Sequence, residues 1–153
     1  MNENLTIALD GPAGAGKSTI ARLLARQLNI LYLDTGAMYR AVGLKALRLG
    51  LSTRDGTAIA EMLGRTSLEV RFLDREQQIW LDGEDVTRAI RTPEVSLAAS
   101  DVSALPPVRL KLVELQRQIA ARQSLILDGR DIGTYVLPAA RWKFYLTAEP
   151  AER

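Results

Sequence analysis

The chain has 153 residues, of which 47% are hydrophobic and 25% are charged, and its net charge is +2. This length and composition predict one globular domain with a sizeable core, and they exclude wholesale disorder. The small net charge predicts no nucleic-acid partner, and no apolar run is long enough to predict a membrane span. The sequence contains neither cysteine nor histidine, which excludes disulfides, thiol nucleophiles and imidazole catalysis within it. Together with the lack of a leader pattern, this composition predicts a cytoplasmic protein.

The N-terminal part of the chain alternates predicted strands and helices. Leu5–Asp10 is an apolar run that ends at a glycine-rich turn, and helical spacing of apolar residues then extends from Lys17 to a stop at Asn29. Leu31–Asp34 predicts a second strand, and the helix that follows is expected to end near Leu49. This order predicts a parallel sheet with helical crossovers.

The middle of the chain interrupts this alternation. Alternating apolar residues and the hairpin dipeptide Asp82-Gly83 predict a small antiparallel insert at about Ser67–Thr87. Two helical stretches then flank Pro106-Pro107, and strands are predicted at Leu125–Asp128 and Trp142–Leu146. The fold class predicted is α/β: a three-layer sandwich around a parallel sheet, with a small antiparallel insert.

A phosphate-binding motif follows the first predicted strand. It matches G-x-x-x-x-G-K-[ST] at every fixed position and consists of Gly11, Pro12, Ala13, Gly14, Ala15, Gly16, Lys17 and Ser18, with Thr19 next to it. The glycines allow backbone N–H groups to point at phosphate oxygens, and the helix that begins near Lys17 directs its positive dipole end at them. Lys17 is predicted to reach the β- and γ-phosphates of a nucleoside triphosphate, and the Ser18 hydroxyl to bind Mg²⁺.

A carboxylate ends the predicted strand Leu125–Asp128. P-loop enzymes hold Mg²⁺ from this position, usually through water, which makes Asp128 the second candidate metal ligand. The alternative is that Asp128 caps the turn that follows. Most of the 20 basic residues are arginines, which bind phosphate well, and this favours a kinase of a small phosphorylated or hydroxylated metabolite.

Five stretches of the chain resemble bacterial-type cytidylate kinases. They occur in family order over essentially the whole sequence: Ile7–Thr19, Leu31–Ala41, Leu81–Val86, Ile90–Ser96 and Asp128–Thr134. The blocks L-D-T-G-A-M-Y-R and D-G-R-D-I-G-T separate this family from adenylate- and guanylate-type kinases. The resemblance implies Mg²⁺-dependent transfer of the γ-phosphoryl group of ATP to CMP or dCMP.

The resemblance also implies roles for residues on the acceptor side. By position, Arg40 and Arg130 grip the acceptor phosphate, while Asp131 orients these guanidinium groups and approaches the sugar. Thr35 lies where the family has serine or threonine near the acceptor. The predicted catalytic residues are therefore Lys17, Arg130 and Asp131. From the residues alone, the less favoured alternatives are that Arg40 is a solvated surface arginine and that Arg130 and Asp131 form a surface ion pair.

Base recognition is implied for two residues of the predicted helices around the two prolines. The resemblance places Ser100 and Arg109 in hydrogen bonds to cytosine. An arginine in the first turn of a helix opposes the helix dipole, which favours a binding role, although a solvated helix face would explain Arg109 as well. Ser100 is one of several small residues in its helix and is selected by the resemblance only.

The resemblance implies a single P-loop kinase domain over residues 1–153. Its core is expected at 1–50 and 95–153, and its monophosphate-binding insert at about 51–94. The segment Thr147–Arg153 is typical of a helix start, and family members continue beyond it into an arginine-bearing lid, so we expect a truncated chain without the lid.

The expected truncation leads to further expectations. Such a chain should bind ATP and CMP but turn over about a thousandfold or more slowly, and it should associate with itself through an uncovered sheet edge. The full-length form is expected to be monomeric. Two alternatives are a nucleotide-binding module with little or no turnover and a P-loop kinase of another small acceptor.

Overall fold

The structure is a computed structural model that describes residues 4–12 and 16–147. The strands are β1 (Thr6–Asp10), β2 (Leu31–Asp34), β3 (Leu68–Leu73), β4 (Glu76–Leu81), β5 (Glu84–Asp85), β6 (Leu125–Gly129) and β7 (Trp142–Tyr145). The helices are α1 (Lys17–Leu28), α2 (Gly36–Arg48), α3 (Gly56–Leu63), α4 (Pro93–Ser103), α5 (Pro106–Arg122) and a π-helix (Ile132–Val136). The chain forms two compact units, which divide after Thr35 and again before Leu115.

The first unit contains a parallel sheet with the strand order β2-β6-β1-β7. Its register pairs Asp10 with Gly129, and Asp34 with Asp128. Since parallel strands end at one edge of a sheet, three aspartates from three strands lie at this edge. The predicted parallel sheet is thereby confirmed.

Both faces of this sheet are covered. One face packs against α1, because Ile7, Leu9 and Ile126 form one buried cluster with Ala21 and Ala25 of that helix. Residues that alternate to the opposite face are also fully buried; they include Ala8, Leu125 and Leu127. A strand that is buried on both faces has the continuous apolar sequence typical of parallel α/β folds, as β6 does.

The helix stop at Asn29 is confirmed. Asn29 has a positive φ of 57°, and its N–H bonds back to carbonyls of the last turn of α1. Asparagine adopts this left-handed conformation more readily than other residues with a side chain, so it ends the helix without a glycine.

The second unit contains the antiparallel sheet β3-β4-β5, which confirms the predicted insert strands. The turn at Asp82-Gly83 has positive φ angles of 50° and 84°, which confirms a hairpin turn there. The first hairpin turn, Asp74-Arg75, also has two positive φ angles, 51° and 69°. It was not predicted, because arginine is an unusual residue in such a turn. Helix α3 was not predicted either.

Helix α2 packs against α4 and is also held to the small sheet. The Lys45 ammonium lies 2.7 Å from the Asp82 carboxylate, and Arg48 donates two hydrogen bonds to Glu84. Burial tends to raise the pKa of Asp82, but hydrogen bonds from Lys45 and the Ser67 N–H lower it overall. Because both pairs lie close to solvent, water screens them and they contribute little to stability.

The contact between α2 and α4 is made through a glycine. A Cβ built on Gly43 would lie 2.9 Å from the Ala99 nitrogen and 3.0 Å from the Ala98 Cβ. The two helix backbones therefore approach closely only because position 43 carries no side chain.

Three predicted features stay predictions. The insert boundaries at 51 and 94 are not tested by the division of the chain into units. The helix start predicted at Thr147–Arg153 lies almost wholly outside the described residues. β7 is an outermost strand of the parallel sheet and exposes Trp142, Phe144 and Tyr145. Association of two copies of the chain through this strand stays a prediction. Within the described ranges, no helix is long and apolar enough to cross a membrane.

Gly43→Ala is expected to lower the free energy of unfolding by about 1–3 kcal/mol, because overpacking against α4 outweighs the gain of about 1 kcal/mol in helix propensity. Gly56→Ala is the control. It also places alanine in a helix, but its nearest atom is the Leu105 Cδ2 at 3.8 Å. Urea unfolding of both variants measures the difference, and equal stability of the two would refute the close contact.

Candidate phosphate-binding site

The loop between β1 and α1 begins and ends at glycines that the backbone requires. Gly11 has φ 139°, and a Cβ there would overlap the Leu146 carbonyl oxygen. Gly16, at the start of α1, has φ 79°. Both positions have backbone conformations that favour glycine, as the motif requires. Pro12 is described as well, whereas the predicted phosphate contacts of Ala13, Gly14 and Ala15 lie outside the described residues.

The Lys17 side chain turns back toward the ends of two neighbouring strands. Its Nζ donates to the carbonyl oxygens of Gly11 at 2.8 Å and Gly129 at 2.9 Å, and lies 3.0 Å from the Asp128 Oδ1. The side chain is only 13% exposed. These three acceptors hold the ammonium group at the carboxyl end of the sheet, where parallel α/β folds bind their ligands. Ser18 and Thr19 lie exposed in the first turn of α1.

Asp128 is a buried carboxylate with partners on both oxygens. Oδ1 faces Lys17, and Oδ2 accepts a 2.6 Å hydrogen bond from the Tyr32 hydroxyl. The N–H and the hydroxyl of Thr35 both donate to the Asp128 carbonyl oxygen at 3.0 Å. Thr35 is buried, and its hydroxyl is used in this bond to β6. A place for Thr35 beside the acceptor stays a prediction.

The turn after β6 is capped by a different aspartate. The Asp10 carboxylate accepts hydrogen bonds from the N–H groups of Ile132 at 2.8 Å and Gly133 at 2.9 Å. The alternative role considered for Asp128, capping this turn, is thus filled by Asp10.

The donor set at this edge fits Mg²⁺. Mg²⁺ keeps several waters and takes one or two protein oxygens beside substrate phosphates. A serine hydroxyl in the first turn of α1 and the carboxylate of Asp128 are ligands of this kind. Within residues 4–12 and 16–147, no group of three or more acidic side chains forms a protein cage for a metal.

Tyr32 was missed as a site residue. Burial, the hydrogen bond to Asp128 and the nearby carboxylates raise the pKa of its hydroxyl far above the usual value. The neutral phenol thus remains a donor to Asp128. In the sequence Tyr32 is one apolar-looking position in a short strand, and nothing local reveals its partner 96 residues away.

Arg130 and Asp131 follow β6 directly and are both exposed. Asp131 has a positive φ of 56°, and the π-helix begins at the next residue. The π-helix was not predicted. Arg130 is thus an exposed cation beside this strand end, and its role toward the acceptor phosphate stays a prediction.

The remaining predicted residues belong to the second unit. Arg40 lies in the second turn of α2 and Arg109 in the first turn of α5, both partly exposed, as the sequence predicted. Ser100 is exposed near the end of α4, and its carbonyl accepts a hydrogen bond from Ser103. The contact at Gly43 holds the helices that carry Arg40 and Ser100 together. Their roles toward a nucleotide stay predictions.

Tyr32→Phe is expected to lower the free energy of unfolding by about 1 kcal/mol, since a partly exposed hydrogen bond to a carboxylate is lost. The folded-state pKa of Tyr32 lies above its unfolded value of 10.0, so this contribution is complete below that pH and falls as the pH rises above it. Tyr145→Phe, at an exposed tyrosine, is the control. A difference between the two variants that stayed constant up to pH 11 would contradict the assignment.

A parallel sheet, a glycine-bounded G-K-S turn into a helix, and a lysine paired with the carboxylate of the adjacent strand together define a P-loop nucleotide-binding protein of the kinase type. A family model described as cytidylate kinase matches residues 7–153. The chain therefore belongs to the cytidylate kinase family.

Individual relatives agree with this membership. The chain is 54% identical over 151 residues to a cytidylate kinase of Caldicellulosiruptor bescii, covering 99% of the chain and 67% of that protein. It is 55% identical over 150 residues to one of Symbiobacterium thermophilum (97% and 66%), and 54% identical over 153 residues to one of Desulfitobacterium hafniense (100% and 66%). The chain thus spans about two thirds of the length of these relatives.

Proposed function

We propose that this protein transfers the γ-phosphoryl group of ATP to CMP or dCMP in the presence of Mg²⁺, giving the nucleoside diphosphate and ADP. The observation that carries the proposal is the position of the Lys17 Nζ, between the Gly11 and Gly129 carbonyls and 3.0 Å from Asp128. Membership of the cytidylate kinase family supplies the acceptor.

On the donor side, Lys17 and the loop N–H groups bind the phosphates of ATP. The anionic oxygens of ATP compete with the carbonyl and carboxylate oxygens that hold Lys17 in the ligand-free protein. Lys17 then neutralises charge that spreads over the transferred phosphoryl oxygens. Mg²⁺, when bound by Ser18 and Asp128, supplies further charge neutralisation at the phosphates.

On the acceptor side, the chemistry requires positioning more than proton transfer. A nucleoside monophosphate is largely dianionic at neutral pH, so its phosphate oxygen can attack without a general base. The lack of histidine and cysteine in this sequence is therefore no obstacle to the reaction. Arg40 and Arg130 are proposed to grip this phosphate, and Asp131 to orient them and contact the sugar. Two fixed guanidinium groups hold a phosphate in line for attack, which is the main contribution an enzyme can make here.

Recognition of cytosine is proposed for Ser100 and Arg109. One edge of cytosine carries two hydrogen-bond acceptors, O2 and N3, and one donor, the amino group. An arginine and a hydroxyl match this edge, since guanidinium groups only donate and hydroxyls do both.

Lys17→Ala is expected to weaken ATP binding by about tenfold to a hundredfold, the loss of a charge-assisted contact to phosphate, and to abolish transfer. Arg26→Ala removes one positive charge from the other end of α1 and should leave ATP binding unchanged. Calorimetric titration with ATP·Mg²⁺ measures both. Because Lys17→Ala also leaves the buried Asp128 without its counter-charge, thermal unfolding of the variant is measured alongside. Unchanged ATP affinity in a folded Lys17→Ala protein would refute the proposal.

Arg109→Ala is expected to weaken CMP binding by about tenfold or more through loss of a charge-assisted hydrogen bond, with ATP binding unchanged. Arg122→Ala, at the opposite end of α5, is the charge-matched control. Equal losses for CMP and ATP would place Arg109 outside the base site.

A coupled assay with CMP, dCMP, UMP and AMP as acceptors separates the candidate activities. A clear preference for CMP and dCMP supports the proposal. Binding of CMP without product would instead identify a nucleotide-binding protein, and preference for a hydroxylated acceptor would identify a different kinase.

A further inference from the structure

We propose that Asp10 is a positioning residue for the acceptor phosphate: its carboxylate holds the turn that carries Arg130 and Asp131. This inference rests on the proposed function, because it assumes that Arg130 binds the acceptor. It assigns to Asp10 a task that its place as the last residue of β1 does not suggest.

The contacts of the Asp10 side chain are specific. Each carboxylate oxygen accepts one backbone hydrogen bond: Oδ1 from the Ile132 N–H at 2.8 Å and Oδ2 from the Gly133 N–H at 2.9 Å. Both donors belong to the first turn of the π-helix, whose N–H groups have no partner within the helix. A carboxylate there also interacts favourably with the helix N-terminus.

The turn needs this support from outside. Its own cap residue, Asp131, has φ 56°, a conformation that costs free energy for a residue with a side chain. Ile132 and Gly133 are buried and their bonds to Asp10 are partly buried, so loss of Asp10 would leave two poorly hydrated N–H groups. Asp10 therefore determines where the exposed pair Arg130-Asp131 projects.

Asp10 is itself rigidly placed. β1 lies between β6 and β7 in the sheet, and Asp10 pairs with Gly129 of β6 and with Tyr145 of β7. The Leu146 N–H also donates to the Asp10 carbonyl oxygen at 2.9 Å. The next residue, Gly11, begins the phosphate loop. One residue thus joins the loop that binds the donor to the turn that binds the acceptor.

The experiment measures CMP and ATP·Mg²⁺ affinities of the Asp10→Asn chain by calorimetry. The asparagine side chain has the same shape as that of aspartate, but it has one acceptor oxygen and one donor amino group in place of two acceptor oxygens. One of the two N–H groups, of Ile132 or Gly133, therefore loses its partner. We expect CMP binding to weaken by about tenfold or more, with ATP affinity within about threefold of wild type. Asp55→Asn, which alters the single cap bond to the Ala58 N–H in α3, controls for general destabilisation.

A double-mutant comparison tests whether Asp10 acts through Arg130. If it does, adding Asp10→Asn to Arg130→Ala should cause no further loss of CMP affinity. Independent, additive losses would overturn the inference, as would parallel losses of CMP and ATP affinity in the single variant. Asp10→Glu, which keeps both acceptors but moves them outward, should retain more CMP affinity than Asp10→Asn; the reverse order would also overturn it.

Backbone amide spectra separate failure of this inference from failure of the proposed function. In Asp10→Asn, the amide signals of Arg130 to Gly133 should shift and exchange faster with solvent, while those of the later turns of α1 stay unchanged. If these changes occur but wild-type protein does not bind CMP, the positioning contact stands and the proposed function fails. If wild type binds CMP and these signals do not change, the inference fails alone.

Discussion

The site depends on how the negative charge at one edge of the parallel sheet is compensated. Asp10, Asp34 and Asp128 end three strands at this edge, and such a concentration of carboxylates requires partners. Asp128 is paired with the Lys17 ammonium and the Tyr32 hydroxyl, and Asp10 with two backbone N–H groups. The Lys17 contact and the two N–H contacts come from elements that have a role in the proposed reaction, so stability and the proposed function share these bonds.

The contact between Lys17 and Asp128 is one that a ligand can replace. A buried ion pair pays a desolvation penalty that its attraction barely offsets, and additional hydrogen bonds are needed to make it stable. Here the Gly11 and Gly129 carbonyls and Tyr32 provide those bonds. In the proposed reaction, the phosphate oxygens of ATP, which carry more charge than carbonyl oxygens, would compete with the two carbonyls for the lysine.

Small side chains set the distances in both units. Gly129 is needed because a Cβ there would overlap the Thr35 hydroxyl, which anchors β6, and Gly43 is needed where α2 meets α4. The missing side chain at Gly43 lets two helix backbones approach, and the one at Gly129 leaves room for the Thr35 hydroxyl. Arg130 follows Gly129 directly, and Arg40 lies one turn before Gly43.

The sequence by itself determined the α/β class, the strands and most helices, and the glycine–lysine–serine loop. These features depend on local periodicity, on turn-forming residues and on one short motif, all of which are legible in consecutive residues. It also led to the cytidylate kinase family through blocks such as L-D-T-G-A-M-Y-R. Only the tertiary structure decided which partners each of these carboxylates has. Asp10, Asp34 and Asp128 look alike as strand-ending aspartates, but the register of the sheet brings Tyr32 and Lys17 to Asp128 and the π-helix N–H groups to Asp10. These partners lie about a hundred residues apart in the chain, beyond the reach of any local pattern, because hydrogen bonds between strand ends depend on which strands become neighbours.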